Sequence, residues 1–172
     1  LSRRDASWTL SHFSQEVMRV VEKVLRCERS SLFLVDAQAR VLYAAWSEGR
    51  EGKRIEVSMH DGLIGRAVVR RAAVRVADAY DDPQFNRSFD EASGFRTRAV
   101  LCIPLFDRRG EVLGVLEVIN KKALVGGAGG AYDVVAADVA GVTFSAADEA
   151  LLEAVGSQVA LGVLDYLHEA FL

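Results

Sequence analysis

Two apolar runs, AVLCIPLF at 99–106 and EVLGVLEVIN at 111–120, stand on either side of Asp107, Arg108, Arg109 and Gly110. Strand-length apolar runs around a short polar turn ending in glycine specify a β-hairpin. Pro104 inside the first run has no N–H to give to a ladder, which predicts an edge position or a bulge there. The hairpin commits the domain to antiparallel pairing, and the other segments are read around it.

Ahead of it, apolar residues at Trp8, Leu10, Phe13, Val17, Val20, Val21, Val24 and Leu25 follow a helical period with a broad apolar face. SSLFLVD at 30–36 reads as a buried strand, 38–40 as a turn and 41–46 as a second strand. RIEVSM at 54–59 alternates with period 2 and predicts a third, half-buried strand. Helical spacing returns at 61–71 with Leu63, Ile64, Ala67 and Val68 on one face and Asp61 as N-cap. A short strand at 74–77 leads into a long polar loop.

After the hairpin, GGAGG at 126–130 opens a glycine-rich insertion reaching to about 141, expected to be poorly ordered and without chemistry. The last helix starts at Ser145, with Asp148 and Glu149 in the first turn where the helix dipole favours acids. Its apolar stripe exceeds what one small sheet covers, so part of it is expected to pack on a partner. The predicted class is α+β: an antiparallel sheet with the terminal helices on one face and, on the other, a ligand pocket under a helix-loop lid. The predicted partition is a helix at 1–26, a domain at 27–150 with its flexible insertion at 122–143, and a helical extension at 151–172.

The chain has 172 residues, a net charge of -3 and 51% hydrophobic residues, values that fit one globular domain and exclude disorder. No basic stripe marks a nucleic-acid partner. No uninterrupted apolar run approaches the roughly 18 residues of a bilayer span, and no signal-peptide layout occurs, so a cytoplasmic location off the membrane is expected. The two cysteines, Cys27 and Cys102, are read as buried apolar residues, and the three scattered histidines lack metal-ligand spacing. No metal and no cofactor are expected. The chain is expected to be a fragment of a larger protein.

The stretch 61–98 carries Tyr80, Phe85, Phe89 and Phe95 among charges of both signs, more aromatic content than a solvated loop holds, and is read as a folded lid over a small-molecule pocket. CERSSLFLVD at 27–36, DGLIGRAV at 61–68, the segment 76–105 and GVLEVINK at 114–121 together resemble a GAF domain. More narrowly, they resemble the regulatory GAF domains of cyclic-nucleotide phosphodiesterases and cyanobacterial adenylyl cyclases. The pattern of the cyclic-nucleotide subset, N-K followed after a variable gap by F-x-x-x-D-E, is matched by Asn120, Lys121, Phe144, Asp148 and Glu149. In the family this motif braces the fold, which implies a structural Lys121–Asp148 pair.

The resemblance implies a regulatory domain that binds cAMP or cGMP and signals to a catalytic domain, expected to be that of a 3',5'-cyclic nucleotide phosphodiesterase, with a cyclase or kinase parent as the alternatives; the apolar stripe of the last helix adds the expectation of a homodimer through the terminal helices. A phosphate is expected at the helix start around Leu63 and Ile64, where free N–H groups gather; the same residues also make an ordinary helix start. Trp46 aligns with an aromatic that stacks on the base, although an aromatic in a strand is usually core. Ser31 and Glu117 align with base contacts. Glu117 either accepts from a guanine edge or points to solvent. Asn86, Asp90, Ser93 and Thr97 align with lid contacts, while Arg96 and Arg98 are expected to pair with lid acids. Arg29, Ser30 and Ser31 resemble the cyclase type, which inclines the expectation toward cAMP. The alternative is a ligand-free GAF domain serving as a dimerisation module. Methionine sulfoxide reduction and bilin attachment are disfavoured, the first because both cysteines lie in buried segments, the second because the loop has none.

Overall fold

The computed structural model describes residues 3–47, 55–126, 128–130, 132–135 and 141–171. Helix α1 (Arg3–Leu25) leads into strands β1 (Cys27–Asp36), β2 (Val41–Ser47) and β3 (Glu56–Ser58). Helix α2 (Gly62–Arg70) and strand β4 (Val74–Val76) precede the lid, which holds a 3-10 turn at Ala79–Asp81 and helix α3 (Ser88–Ser93). Strands β5 (Val100–Phe106) and β6 (Val112–Lys121), the small strands β7 (Ala123–Gly126) and β8 (Tyr132–Val135), and helix α4 (Ala146–Phe171) complete the order. Six strands pair antiparallel in the order β3-β2-β1-β6-β5-β4, so the β5–β6 hairpin lies beside β1 near the sheet centre. Pro104 lies beyond the residues of β5 that β4 pairs, Val100 to Cys102, where a missing N–H does no harm.

Strand alternation sorts side chains onto two faces. Leu32, Leu34, Leu101, Ile103, Leu116 and Val118 meet Met18, Val21 and Leu25 of α1 and Leu152, Val159 and Val163 of α4. Phe33, Val100, Cys102 and Val115 meet Leu63 and Ala67 of α2 on the other face. Gly156 lets α4 lie against β5, since a Cβ there would stand 2.7 Å from Ile103 Cδ1. Val20 (57% exposed) and Val24 (43%) of α1 and Leu161 (46%) of α4 remain uncovered within the single chain.

Two differences from the sequence reading stand out. The insertion expected to be poorly ordered contains a β7–β8 ribbon that pairs Ala123 with Val135 and Gly126 with Tyr132. Its glycines Gly129 and Gly130 take positive φ in the turn, so glycine content there marks a hairpin tip; residues 136–140 lie outside the described residues. Helix α4 is also long and apolar enough to cross a membrane over Ala146–His168, at a mean hydropathy of 1.3, because its few charged positions interrupt each apolar run without lowering the average much. In this fold its Leu152, Val159 and Val163 pack into the core of the domain.

Candidate functional site

A cavity of about 420 Å³ lies between the α2 face of the sheet, the start of α2 and the lid. That volume falls within the ~300–1,000 Å³ typical of small-molecule sites. Ser31, Phe33, Glu117 and Ile119 form its floor: 31 and 33 share one face of β1, and on β6 Glu117, paired with Ser31, and Ile119, paired with Arg29, share the same face. Leu63 and Ile64 close one side; Asn86, Asp90 and Thr97 belong to the lid side. The structure thus gathers Ser31, Leu63, Ile64, Asn86, Asp90, Thr97 and Glu117 around one space.

Trp46 and Ser93 are not among the lining residues. Trp46 packs in the cluster beneath α1 and α4, on the opposite face of the sheet, so the expected stacking platform is not at the cavity. A bulge is the cause: Phe33 pairs with Ala44 but Leu32 with Trp46, which sets two residues of β2 against one step of β1. Ala45 and Trp46 both turn to the helix side, and Ser47 comes to the cavity. Ser93 is exposed at the end of α3, donating to the Phe89 carbonyl at 2.8 Å and accepting from the Phe95 N–H at 3.3 Å.

Glu117 stands between Ser31 of β1 and Cys102 of β5 in the ladder, and the Cys102 thiol donates to its Oε2 at 3.8 Å. Burial, aided by the Glu117 charge, pushes the Cys102 thiol well above its ordinary pKa, and burial together with Glu22 pushes Cys27 up to about 12. Neither thiol has the lowered pKa that nucleophilic or redox chemistry requires. At the other end of the floor Ser31 and Ser47 share a hydroxyl hydrogen bond of 3.1 Å.

The start of α2 is built from a tight turn. Gly62 takes φ +70, and the Ser58 hydroxyl accepts from the N–H groups of His60 and Asp61. Asp61 is the N-cap residue, but its carboxylate accepts from the Ser58 hydroxyl at 2.9 Å and makes no side-chain cap. The first turn of α2 lines the cavity through Gly62, Leu63 and Ile64, and the Asp61 side chain does not cap its N–H groups.

The lid is held by its own polar network. Buried Asp90 accepts from the Thr97 N–H at 2.7 Å, the Thr97 hydroxyl at 2.8 Å and the Tyr80 hydroxyl at 3.0 Å. The Tyr80 ring has the Arg96 guanidinium 3.4 Å from its centroid and that of Arg87 at 4.6 Å. Arg96 pairs with Asp78 at 3.3 Å, an acid at the start of the loop, and not with Asp81, Asp82, Asp90 or Glu91, the lid acids nearer to it that the sequence suggests. Arg66 of α2 ties down the lid through Asp82 at 2.7 Å. Burial works to raise the Asp82 carboxyl, but Arg66 and the Gln84 N–H outweigh it and leave the pKa below its ordinary value. Asn86 accepts from the N–H and hydroxyl of Ser88 in a turn just ahead of α3.

Arg29 and Phe95 also line the cavity, the guanidinium 3.8 Å from the ring centroid; the sequence marks Arg29 only within the cyclase-like run and Phe95 only as a lid aromatic, neither as a ligand contact. Period-2 spacing from Ser31 was the available signal for Arg29. A second groove, of about 520 Å³, runs between α4 and the end of β5 and is lined by Phe106, Ala160, Leu161 and Leu164, with none of the expected site residues.

The motif residues converge below the lid. Lys121 Nζ donates to Asp148 Oδ1 at 2.8 Å and to the Leu25 carbonyl at 2.7 Å. Asp148 accepts from the Ser145 N–H while its own N–H bonds the Ser145 hydroxyl, a reciprocal cap of α4. Burial would raise the Asp148 carboxyl, but Lys121 and the cap hold it below its ordinary value. Phe144 is buried in the core and offers its carbonyl to Arg75 at 3.3 Å, and Arg75 pairs with Glu149 at 3.5 Å.

A curled antiparallel sheet with helices on one face and a lidded cavity on the other, closed by this motif, defines a class, and the chain belongs to it: the GAF domain family matches residues 9–163. The probable 3',5'-cyclic phosphodiesterase pde-5 of Caenorhabditis elegans is 32% identical over 120 residues, 62% of this chain and 16% of that protein. The dual 3',5'-cyclic-AMP and -GMP phosphodiesterase 11 of Drosophila melanogaster is 32% identical over 129 residues, 66% of this chain and 9% of that protein. The chain therefore spans a small part of both relatives. Among solved structures, the GAF domain of a phosphoenolpyruvate-protein phosphotransferase from Coxiella burnetii superposes with a TM-score of 0.75 at 18% identity, covering 99% of this chain and 95% of its own. A type II free methionine-R-sulfoxide reductase from Thermoplasma acidophilum follows at 0.67 and 17%, covering 95% and 96%. At such identities these two establish the fold alone.

Proposed function

We propose that this GAF domain binds a cyclic nucleotide in the 420 Å³ cavity and passes the binding event to a catalytic domain, that of a cyclic nucleotide phosphodiesterase. One observation carries the reading: the cavity brings the first turn of α2, whose N–H groups Asp61 does not cap, a hydroxyl and carboxylate floor and a hydrogen-bonded lid around one ligand-sized space. The N–H groups suit the single negative phosphodiester. Ser31 and Glu117 suit the base edge, since a hydroxyl both donates and accepts while a carboxylate accepts from ring N–H and amino groups. Phe85, Phe89 and Phe95 supply the flat apolar wall that Trp46 does not. Asp90 and Thr97 hold the lid and stand within reach of the ribose side. cAMP is favoured slightly over cGMP on the sequence around Ser31. The domain works in the cytoplasm as a homodimer, without metal, cofactor, nucleic acid or membrane.

Isothermal titration of the purified, ligand-free protein with cAMP and cGMP tests this. Saturable 1:1 binding of either one is expected; heat from neither, with the fold intact by circular dichroism, would refute it. The competing reading, a ligand-free dimerisation module, is favoured by the exposed Val20, Val24 and Leu161 on the terminal helices, and it predicts a concentration-dependent dimer with no nucleotide response.

A further inference from the structure

We infer that Asn120 is a positioning residue that ties the lid to both terminal helices, so that lid placement is felt where α1 ends and α4 begins. The inference deepens the reading above and rests on it only for the ligand that would move the lid. The Asn120 side-chain amide brackets the end of the lid: Oδ1 accepts from the Arg98 N–H at 2.7 Å and Nδ2 donates to the Arg96 carbonyl at 2.8 Å. Between those two residues sits Thr97, whose N–H and hydroxyl hold Asp90. The third amide bond runs from Nδ2 to Glu28 of β1 at 3.0 Å. Asn120 is 3% exposed, so water does not replace any of these partners at low cost.

The backbone at the same residue does a second job. Asn120 has φ 60, the left-handed region that asparagine tolerates better than most residues. Regular alternation would put Lys121 on the same face as Ile119, toward the cavity. The left-handed step turns it to the helix side, where Nζ reaches the last carbonyl of α1 and the first turn of α4. The next N–H, that of Lys122, donates to the Arg26 carbonyl at 2.7 Å. One residue thus grips the lid with its side chain and aims the helix clamp with its backbone.

A double-mutant cycle that needs no ligand tests the tie. Asp90→Asn loosens the lid, and amide hydrogen exchange of Lys122 and Glu149 reads the helix junction. In the wild-type background Asp90→Asn is expected to speed exchange at these amides about fivefold, the effect of one neutral hydrogen bond. With Asn120→Gly, which keeps the positive φ accessible while deleting the bracket, the acceleration should fall below about twofold. Glu28→Ala removes only the third amide bond and should leave the fivefold effect intact. Should Asn120→Gly fail to fold, Asn120→Asp combined with Glu28→Gln keeps the acceptor for Arg98 and loses the donor to Arg96 without setting two carboxylates together, and an intermediate acceleration is expected. Equal acceleration with and without the bracket, or none in the wild-type background, overturns the inference. A parallel titration with cAMP and cGMP separates the two claims: failure to bind either removes the nucleotide reading, and the ligand-free cycle still decides the role of Asn120.

Discussion

Replacing Lys121 by methionine keeps the apolar stem and removes the charge, leaving two groups without their donor. Lys121 and Asp148 have side-chain exposures of 7% and 14%, so the pair is nearly but not wholly shielded from water. Breaking a fully buried pair costs about 3–5 kcal/mol, chiefly for the charge left behind. Asp148 keeps the Ser145 N–H at 2.9 Å and some access to solvent, which brings its share to about 2 kcal/mol. The Leu25 carbonyl adds about 1 kcal/mol. A total of about 3 kcal/mol corresponds to a fall in Tm of roughly 6–12 °C at this chain length. The pH dependence provides an independent check. Asp148 has a folded-state pKa below its ordinary 3.8, so its stabilisation is complete above that value and is lost as pH falls through the folded value. The variant, whose carboxylate no longer has a cation, should therefore differ from wild type less at pH 3 than at pH 7. Thermal unfolding followed by circular dichroism at both pH values measures this, and adding Asp148→Asn to Lys121→Met should recover about half of the loss. A penalty below about 1 kcal/mol at pH 7, or one unchanged at pH 3, would show that the pair is not the brace described.

Gly65→Ala should destabilise the domain by about 1–3 kcal/mol, because a Cβ there would lie 2.6 Å from the His60 backbone and push the turn carrying Ser58 and Asp61. Denaturant unfolding measures the loss, and titration should show weakened ligand binding if the turn shifts. Asp90→Asn removes at least one of three accepted hydrogen bonds in the lid and should increase tryptic cleavage after Arg87 about tenfold with little change in Tm, as expected for a local opening.

Much of the architecture was legible because each signal was local. The β5–β6 hairpin followed from two apolar runs and a glycine turn, and α2 from the spacing of Leu63, Ile64, Ala67 and Val68. The capping of α4 by Ser145 and Asp148 was readable for the same reason. What escaped depended on long-range pairing. Arg96 pairs with Asp78 because the two ends of the lid meet where the Ala79 N–H bonds the Arg98 carbonyl at 2.8 Å, and residue order does not reveal that closure. Asn120 showed its place in a motif, but its left-handed backbone and bracket on Arg96 and Arg98 belong to the fold. The β7–β8 ribbon was hidden because glycine content says nothing about which flanking residues will pair.

Trp46 shows the same limit most sharply and carries the last prediction. Leu42 and Ala44 face α2, so simple alternation along β2 carries Trp46 to the cavity. The bulge opposite Leu32 and Phe33 consumes one residue and reverses the phase, as any one-residue slip in a strand must. The indole then lies against the helix-side core, where its N–H is buried without an acceptor among the described residues. Trp46→Phe removes that unsatisfied donor, a gain of about 1–3 kcal/mol, while surrendering part of the indole packing, a loss of similar size. Stability should stay within about 1 kcal/mol of wild type, and affinity for a cyclic nucleotide should be unchanged. A stacked base would instead be worth about 1–3 kcal/mol and the phenyl ring would retain part of it, so Trp46→Ala sharpens the contrast: lower Tm with unchanged affinity if Trp46 is core, lower affinity if it stacks. A tenfold loss of affinity in the alanine variant, with the fold intact, would mean that β2 changes register when ligand binds.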